Sequence, residues 1–247
     1  MEGSVREWVR SARRIAVLTG AGMSAESGVP TFRGGGDGLW SRFDPMELAT
    51  ADAWRRDPDL VWAWYRWRMH VVRGAAPNAG HVALAELQRR GVALAIATQN
   101  VDDLHERAGA RVDAHVHGEL FALRCADCAA PFAGVLPPYA AGAERVAPPR
   151  CAACGGRVRP GVVWFGEALP EDAWTRARRA ALAARLVIVV GTSGLVQPAA
   201  GLPRLARDAG AFVVEVNPER TALSPHVDVV WTATAASALP ALAAAIV

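Results

Sequence analysis

The chain has 247 residues, of which 52% are hydrophobic and 21% charged, with a formal net charge of +3. That length suits one sizeable α/β domain, or a large domain with a small insert. The charge is too small and too scattered to favour nucleic acid or a membrane surface as a partner. No apolar run is long enough for a membrane span, and the opening M-E-G-S-V-R-E-W-V-R lacks the apolar core of a secretory signal. A cytoplasmic enzyme is the expectation. All 27 basic residues are arginine, which base composition explains in a chain also rich in Ala, Gly and Pro.

In chain order, short apolar runs at residues 15–19, 93–98, 114–116, 186–190, 212–216 and 227–231 predict strands. Amphipathic stretches at 78–90, 171–183, 198–208 and the Ala-rich C-terminus predict the helices between them. The run L-V-I-V-V at 186–190 is apolar on both faces, as befits a strand inside a parallel sheet covered by helices. Strands alternating with helices predict an α/β fold with a Rossmann-like, doubly wound parallel sheet. Two segments interrupt the rhythm. Residues 33–77 begin as a Gly-rich loop and become a Trp-rich helical stretch, and residues 120–159 hold every cysteine among many Pro, Gly and Ala. Both read as insertions forming a smaller lobe, leaving 1–32, 78–119 and 160–247 as the nucleotide lobe. The cleft is then expected at the carboxyl ends of the strands.

The first strand runs into G-A-G-M-S-A-E-S-G, so that Gly20, Gly22 and Ala25 fit the turn G-x-G-x-x-G/A. Such a turn lets a pyrophosphate approach the backbone and presents it to a helix N-terminus. The acidic residue that should close a second strand about 20 residues on is missing. In its place stands G-V-P-T-F-R-G-G-G-D-G-L-W, which excludes an ordinary dehydrogenase and makes Phe32 and Arg33 candidates for ribose and phosphate contact. Gln99, Asn100 and Asp102 follow a strand directly, and either hold ribose and carboxamide groups or cap the next helix. His115 and His117 share one strand face and compete as a general base.

Cys125, Cys128, Cys151 and Cys154 form two C-x-x-C pairs. Two such pairs point to a tetrahedral four-thiolate zinc site more than to a redox dithiol. With no position left open for water, the metal is expected to be structural.

G-A-G-M-S-A-E-S-G-V-P-T-F-R, T-Q-N-V-D-D-L-H, H-G-E-L, the cysteine pairs, R-P-G-V-V-W-F-G-E, G-T-S-G-L-V-Q-P-A-A and V-E-V-N together resemble the sirtuin family in order and spacing, over nearly the whole chain. The resemblance implies an NAD-dependent protein-lysine deacylase that moves the acyl group to ADP-ribose and releases nicotinamide. NAD is then co-substrate, one structural zinc ion is bound, and the partners are acylated lysine side chains of proteins.

The resemblance further implies His117 as the catalytic base, with Asn100 and Asp102 at the nicotinamide end. It places NAD against Gly20, Ala21, Gly22, Ser24, Phe32, Arg33, Trp40, Gln99, Val101, Gly191, Thr192, Ser193, Asn217 and Ala235. Ala49, Val163, Phe165 and Gly166 are implied to meet the substrate. Tyr65 and Arg68, three residues apart, match the Tyr-x-x-Arg of the branch that removes succinyl and malonyl groups. Without the resemblance, they read equally well as part of a Trp-rich core helix with a solvated arginine. Protein mono-ADP-ribosyl transfer and a non-catalytic NAD- or zinc-dependent binding module are the alternative functions.

Overall fold

The computed structural model describes residues 12, 14–31 and 38–246. Strand β1 (Ile15–Thr19) leads into a single helical turn, α1 (Gly22–Ala25). After a short 3-10 turn come α2 (Pro45–Leu48), α3 (Ala51–Arg56) and α4 (Pro58–Gly74), followed by α5 (Ala79–Arg89) and β2 (Leu94–Thr98). The chain continues through α6 (Leu104–Arg107), β3 (Ala114–His115), β4 (Gly118–Cys125) and β5 (Val158–Val162). It ends with α7 (Glu171–Ala183), β6 (Leu186–Val190), α8 (Leu202–Asp208), β7 (Phe212–Asn217), β8 (Val229–Thr232) and α9 (Ala235–Ala243).

Six strands form one parallel sheet in the order β3-β2-β1-β6-β7-β8. The predicted doubly wound sheet is therefore present. Every residue of β1 and β6 is buried, because these central strands are covered on both faces. One face packs on α5 and α9, with Leu84, Leu87, Leu239 and Leu242 fully buried. The other packs on α7 and α8 through Ala177, Ala181 and Ala206. Helices α5 and α9 approach closely at Gly80, where a Cβ would lie 2.8 Å from the Ala235 carbonyl oxygen. Asn78 starts α5 by capping the Gly80 and His81 N–H groups, with the His81 ring returning to the Asn78 N–H.

The outer elements depart from the sequence expectation in understandable ways. The stretch 198–208 is a 3-10 turn, Ala199–Gly201, followed by a separate short helix, with Pro203 in its first turn. Asp57 and Pro58 likewise divide the Trp-rich stretch: Asp57 caps the Leu60 N–H, and Pro58 opens α4. The cysteine segment hangs on an antiparallel pair, β4 with β5, that the sequence reading treats as irregular insert. A second core joins this pair to α4, with Trp62, Trp64, Tyr65 and Trp164 buried together.

Candidate functional site

The order of the sheet reverses between β1 and β6, so the loops after these two strands face each other at the carboxyl edge. Gly20 and Gly22 are needed there for a reason inside the protein itself. A Cβ on Gly20 would meet the Gly191 oxygen at 2.8 Å, and one on Gly22 would meet the Gly191 Cα at 2.7 Å. Gly22 N–H also donates to the Gly191 carbonyl at 2.8 Å, and Gly191 is left-handed at φ 61°. The glycines thus let the two loops touch. Thr192 knits the edge further: Gln99 Nε2 donates to its Oγ1 at 3.2 Å, and Asn217 Nδ2 to its carbonyl at 3.1 Å. Ser193 follows on the same turn, half-buried.

Beside this cradle Ser24, Asn100 and Asp102 form one buried cluster. Asn100 Nδ2 donates to Ser24 Oγ at 3.1 Å, and Ser24 donates to Asp102 Oδ2 at 2.9 Å. Asp102 Oδ1 accepts from the Leu104 N–H at 3.2 Å, so the acidic residue both anchors Ser24 and starts the turn into α6. Burial raises the Asp102 carboxyl above its ordinary range, against the pull of these two bonds.

Beneath the cluster, the Asn100 N–H donates to Thr98 Oγ1 at 3.0 Å, and Thr98 accepts from Thr19 at 2.8 Å. The His105 Nε2 then lies 3.2 Å from Thr19 Oγ1, and the His105 ring meets His81 edge-on. Burial pushes both imidazoles down, His81 to about 4 and His105 to about 3, so both are neutral. Sequence reasoning passed over this network. The visible signals were Thr19 and Thr98, polar residues at the ends of two apolar strands.

The two candidate bases sit in different surroundings. His115 is engaged on both nitrogens, Nδ1 with the Asn100 carbonyl at 3.3 Å and Nε2 with Glu106 Oε1 at 2.7 Å. Burial opposes its charge, but the bond and charge of Glu106, the Asn100 carbonyl and the Glu119 charge together outweigh that and raise its pKa. His117 Nδ1 lies 3.1 Å from the Gln99 carbonyl. A carbonyl only accepts, so Nδ1 carries the hydrogen and Nε2 keeps a bare lone pair. Burial lowers the His117 pKa below its ordinary value, only partly opposed by that bond. Thus His117 has the geometry of a neutral base, while His115 is tied up.

The His117 carbonyl in turn accepts from Val163 N–H at 2.8 Å, which brings the loop after β5 to the base. Phe165 N–H donates to the Ala49 carbonyl at 2.9 Å, and Thr50 pairs with Phe165 as a short parallel bridge. Ala49 is buried, while Phe165 and the left-handed Gly166 are exposed beside it. Val163, Phe165, Gly166 and Ala49 therefore lie together on the stretch that joins the His117 segment to the turn before α3.

On the neighbouring face of α4, Tyr65 is buried and Arg68 is half-buried, its Cζ 5.0 Å from the Trp64 ring centroid. Burial pushes the Tyr65 phenol up to about 12, against the pull of Arg68, so it keeps its proton. Arg68 is electrostatically coupled to Tyr65 and also to Asp102, which links this face to the buried polar cluster.

Of the other predicted nucleotide residues, two are buried and two lie outside the described residues. Trp40 is buried against Phe43 and Trp67 in the second core, and Ala235 is buried at the start of α9. Phe32 and Arg33 lie outside the described residues. Ala21 and Val101 sit half-buried on the turns after β1 and β2.

The four cysteine sulfurs lie within 4.8 Å of one another. Cys125 to Cys154 and Cys128 to Cys154 are 3.4 Å, and Cys128 to Cys151 is 3.8 Å. A disulfide needs about 2.05 Å, whereas a tetrahedron of Zn–S bonds of about 2.3 Å has edges of about 3.8 Å. The residue after each pair, Ala129 at φ 59° and Gly155 at φ 76°, is left-handed, which turns the backbone around the sulfurs. The N–H groups of Asp127 and Gly156 point at Cys125 and Cys154 Sγ, each at 3.4 Å. A non-glycine residue held at positive φ costs about 1–2 kcal/mol, as expected where a metal site imposes the turn. The donor set fits one structural zinc ion.

Residues 20–198 match the Sir2 family. The chain is 56% identical over 229 residues to an "NAD-dependent protein deacylase" of Mycolicibacterium paratuberculosis, covering 93% of this chain and 96% of the relative. Its fold is similar to a Sir2 homologue solved with NAD, at a TM-score of 0.89 and 46% identity, covering 99% and 93% of the two chains. It is also similar to a mutant Sir2 homologue solved with 2'-O-acetyl ADP ribose, at a TM-score of 0.89 and 44% identity, covering 99% and 96%.

Proposed function

The chain belongs to the Sir2 family, and we propose that within it the protein removes acidic acyl groups, succinyl and malonyl, as well as acetyl. It is an NAD-dependent protein deacylase. Bound NAD supplies the ADP-ribose that takes the acyl group, with loss of nicotinamide. The residues of this chain orient the two substrates and manage the proton.

His117 is the base in this reading. Its bare Nε2 is set by the Gln99 carbonyl, and its depressed pKa keeps it unprotonated at neutral pH. Asn100 and Asp102, locked through Ser24, hold the nicotinamide end with Gln99 and Val101. Gly20, Ala21, Gly22, Gly191, Thr192, Ser193 and Asn217 hold the phosphates and the second ribose, and Phe32, Arg33, Trp40 and Ala235 complete the assignment. The acyl-lysine enters along Ala49, Val163, Phe165 and Gly166, and the cytoplasm is the proposed place of action. No described helix is long and apolar enough to cross a membrane.

The single observation that supports the acidic preference is the pair Tyr65 and Arg68 on one face of α4. The phenol stays protonated, and the guanidinium is always charged. Together they offer donors to a carboxylate. Arg68→Met keeps the bulk and removes the charge. The kcat/KM ratio of succinyl- to acetyl-lysine peptide should fall by about ten- to a hundredfold, since a charge-assisted bond contributes about 1.5–3 kcal/mol. An unchanged ratio refutes the acidic preference. O-acyl-ADP-ribose as product, rather than ADP-ribosylated protein, separates deacylation from ADP-ribosyl transfer.

A further inference from the structure

We infer that Trp164 is a specificity-determining residue that acts through Tyr65, fixing the phenol as a hydrogen-bond donor toward the acyl tail. This rests on the reading of Tyr65 and Arg68 as the acidic-acyl pocket and deepens it.

The indole N–H is a donor and never an acceptor. Trp164 Nε1 lies 3.0 Å from Tyr65 Oη, so at that contact the phenol oxygen must accept. The phenol's own hydrogen is thereby directed elsewhere. Burial keeps that hydrogen in place across the working pH range. A group meeting Tyr65 from the pocket side thus faces a donor. A carboxylate satisfies it, whereas a methyl group leaves it without an acceptor.

The indole is itself held on both sides. The Arg159 guanidinium lies over the Trp164 ring, with Cζ 3.3 Å from the ring centroid. Glu167 clamps Arg159, with Oε1 at 2.6 Å from Nη1 and Oε2 at 2.9 Å from Nη2, and Oε2 also accepts the Trp164 backbone N–H at 2.8 Å. Burial pulls the Glu167 carboxyl upward, but the Arg159 bonds, the Trp164 N–H and the Arg159 and Arg124 charges together hold it below its ordinary range, so the clamp stays ionised. Trp54 packs against the ring at 5.4 Å between centroids. The indole N–H is thus spent on the Tyr65 oxygen while Arg159 holds the ring from its face.

The test is Trp164→Phe, which keeps an aromatic ring and deletes the donor. The ratio of kcat/KM for succinyl- over acetyl-lysine peptide should fall about tenfold, equivalent to about 1.4 kcal/mol, with the loss in KM for the succinyl peptide. On a Tyr65→Phe background the same substitution should leave the ratio unmoved, because the hydroxyl it acts through is gone. Incorporation of β-(3-benzothienyl)alanine at position 164 keeps the two-ring shape and removes only the N–H, so it gives the same readout if Trp164→Phe proves unstable. A ratio unchanged in both replacements overturns the inference, as does an equal fall with and without the Tyr65 hydroxyl. If Tyr65→Phe and Arg68→Met themselves leave the ratio unchanged, the pocket reading fails first. If they lower it while position 164 does not, only the role of Trp164 fails.

Discussion

Replacing His117 by alanine removes an imidazole whose Nδ1 is engaged by the Gln99 carbonyl and whose Nε2 carries the lone pair. The Gln99 carbonyl fixes the proton on Nδ1, so every neutral His117 presents Nε2 in the productive tautomer. At an ordinary pKa of 6.5, about a quarter of the rings would be protonated and idle at pH 7. Burial lowers the pKa and shrinks that idle fraction. A positioned base contributes about 10² to 10⁴ in rate, or about 2.7 to 5.4 kcal/mol of barrier. His117→Ala should therefore lower kcat by that factor. NAD affinity should hold, because the contacts among Gly22, Gly191, Thr192 and Asn217 are untouched. The assay is nicotinamide and O-acyl-ADP-ribose formation by mass spectrometry across pH 5 to 8. Wild-type kcat/KM should fall on the acid side with a midpoint below 6.5, since the base must be neutral and its pKa is depressed. Near-normal turnover in His117→Ala, or an acid midpoint above 6.5, would refute the assignment. His115 would then be the next residue to replace, since its Glu106 partner moves its pKa the other way.

Cys151→Ser should lower zinc content and thermal stability together, because binding energy at a structural site is folding energy; zinc-free protein of full stability would sink the site. The buried pair His81 and His105 makes stability fall as pH drops. Their folded pKa values are depressed to about 4 and about 3, so below the unfolded value of 6.5 the unfolded chain takes up protons that the folded chain refuses. Each contributes a slope of about 1.4 kcal/mol per pH unit, down to its folded pKa. Denaturant midpoints should fall between pH 7 and 4, and the fall should be shallower in a folded His81→Asn variant; a variant slope no shallower than that of the wild type contradicts the burial of His81 as a neutral ring.

The sheet was legible in the chain because its central strands are covered on both faces, which leaves continuous apolar runs such as I-A-V-L-T and L-V-I-V-V. The glycine turn, the two cysteine pairs and the Asn100–Asp102 segment were legible because each is a short motif written within a few residues, although the groups that lock it, such as Ser24 for Asn100 and Asp102, are distant in the chain. The β4–β5 pair was not. Its strands are joined by more than 30 residues, and β4 has no regular alternation, since its burial depends on α4 on one side and on the cysteine turns at its end. Strand alternation alone puts His115 and His117 on one face, and it is the resemblance at H-G-E-L that singles out His117 without a physical reason. Only the folded chain brings Glu106 to one and leaves the other with a bare nitrogen. The turn motif explains the glycines at 20 and 22 as room for a pyrophosphate, and the fold adds that they make room for Gly191, some 170 residues away. Trp164 looked like one more aromatic in a motif until packing set its N–H against Tyr65, 99 positions distant. Hydrophobic period and local motif are written along the chain, whereas the direction of a hydrogen bond depends on which distant group arrives, and only the tertiary contacts decide that.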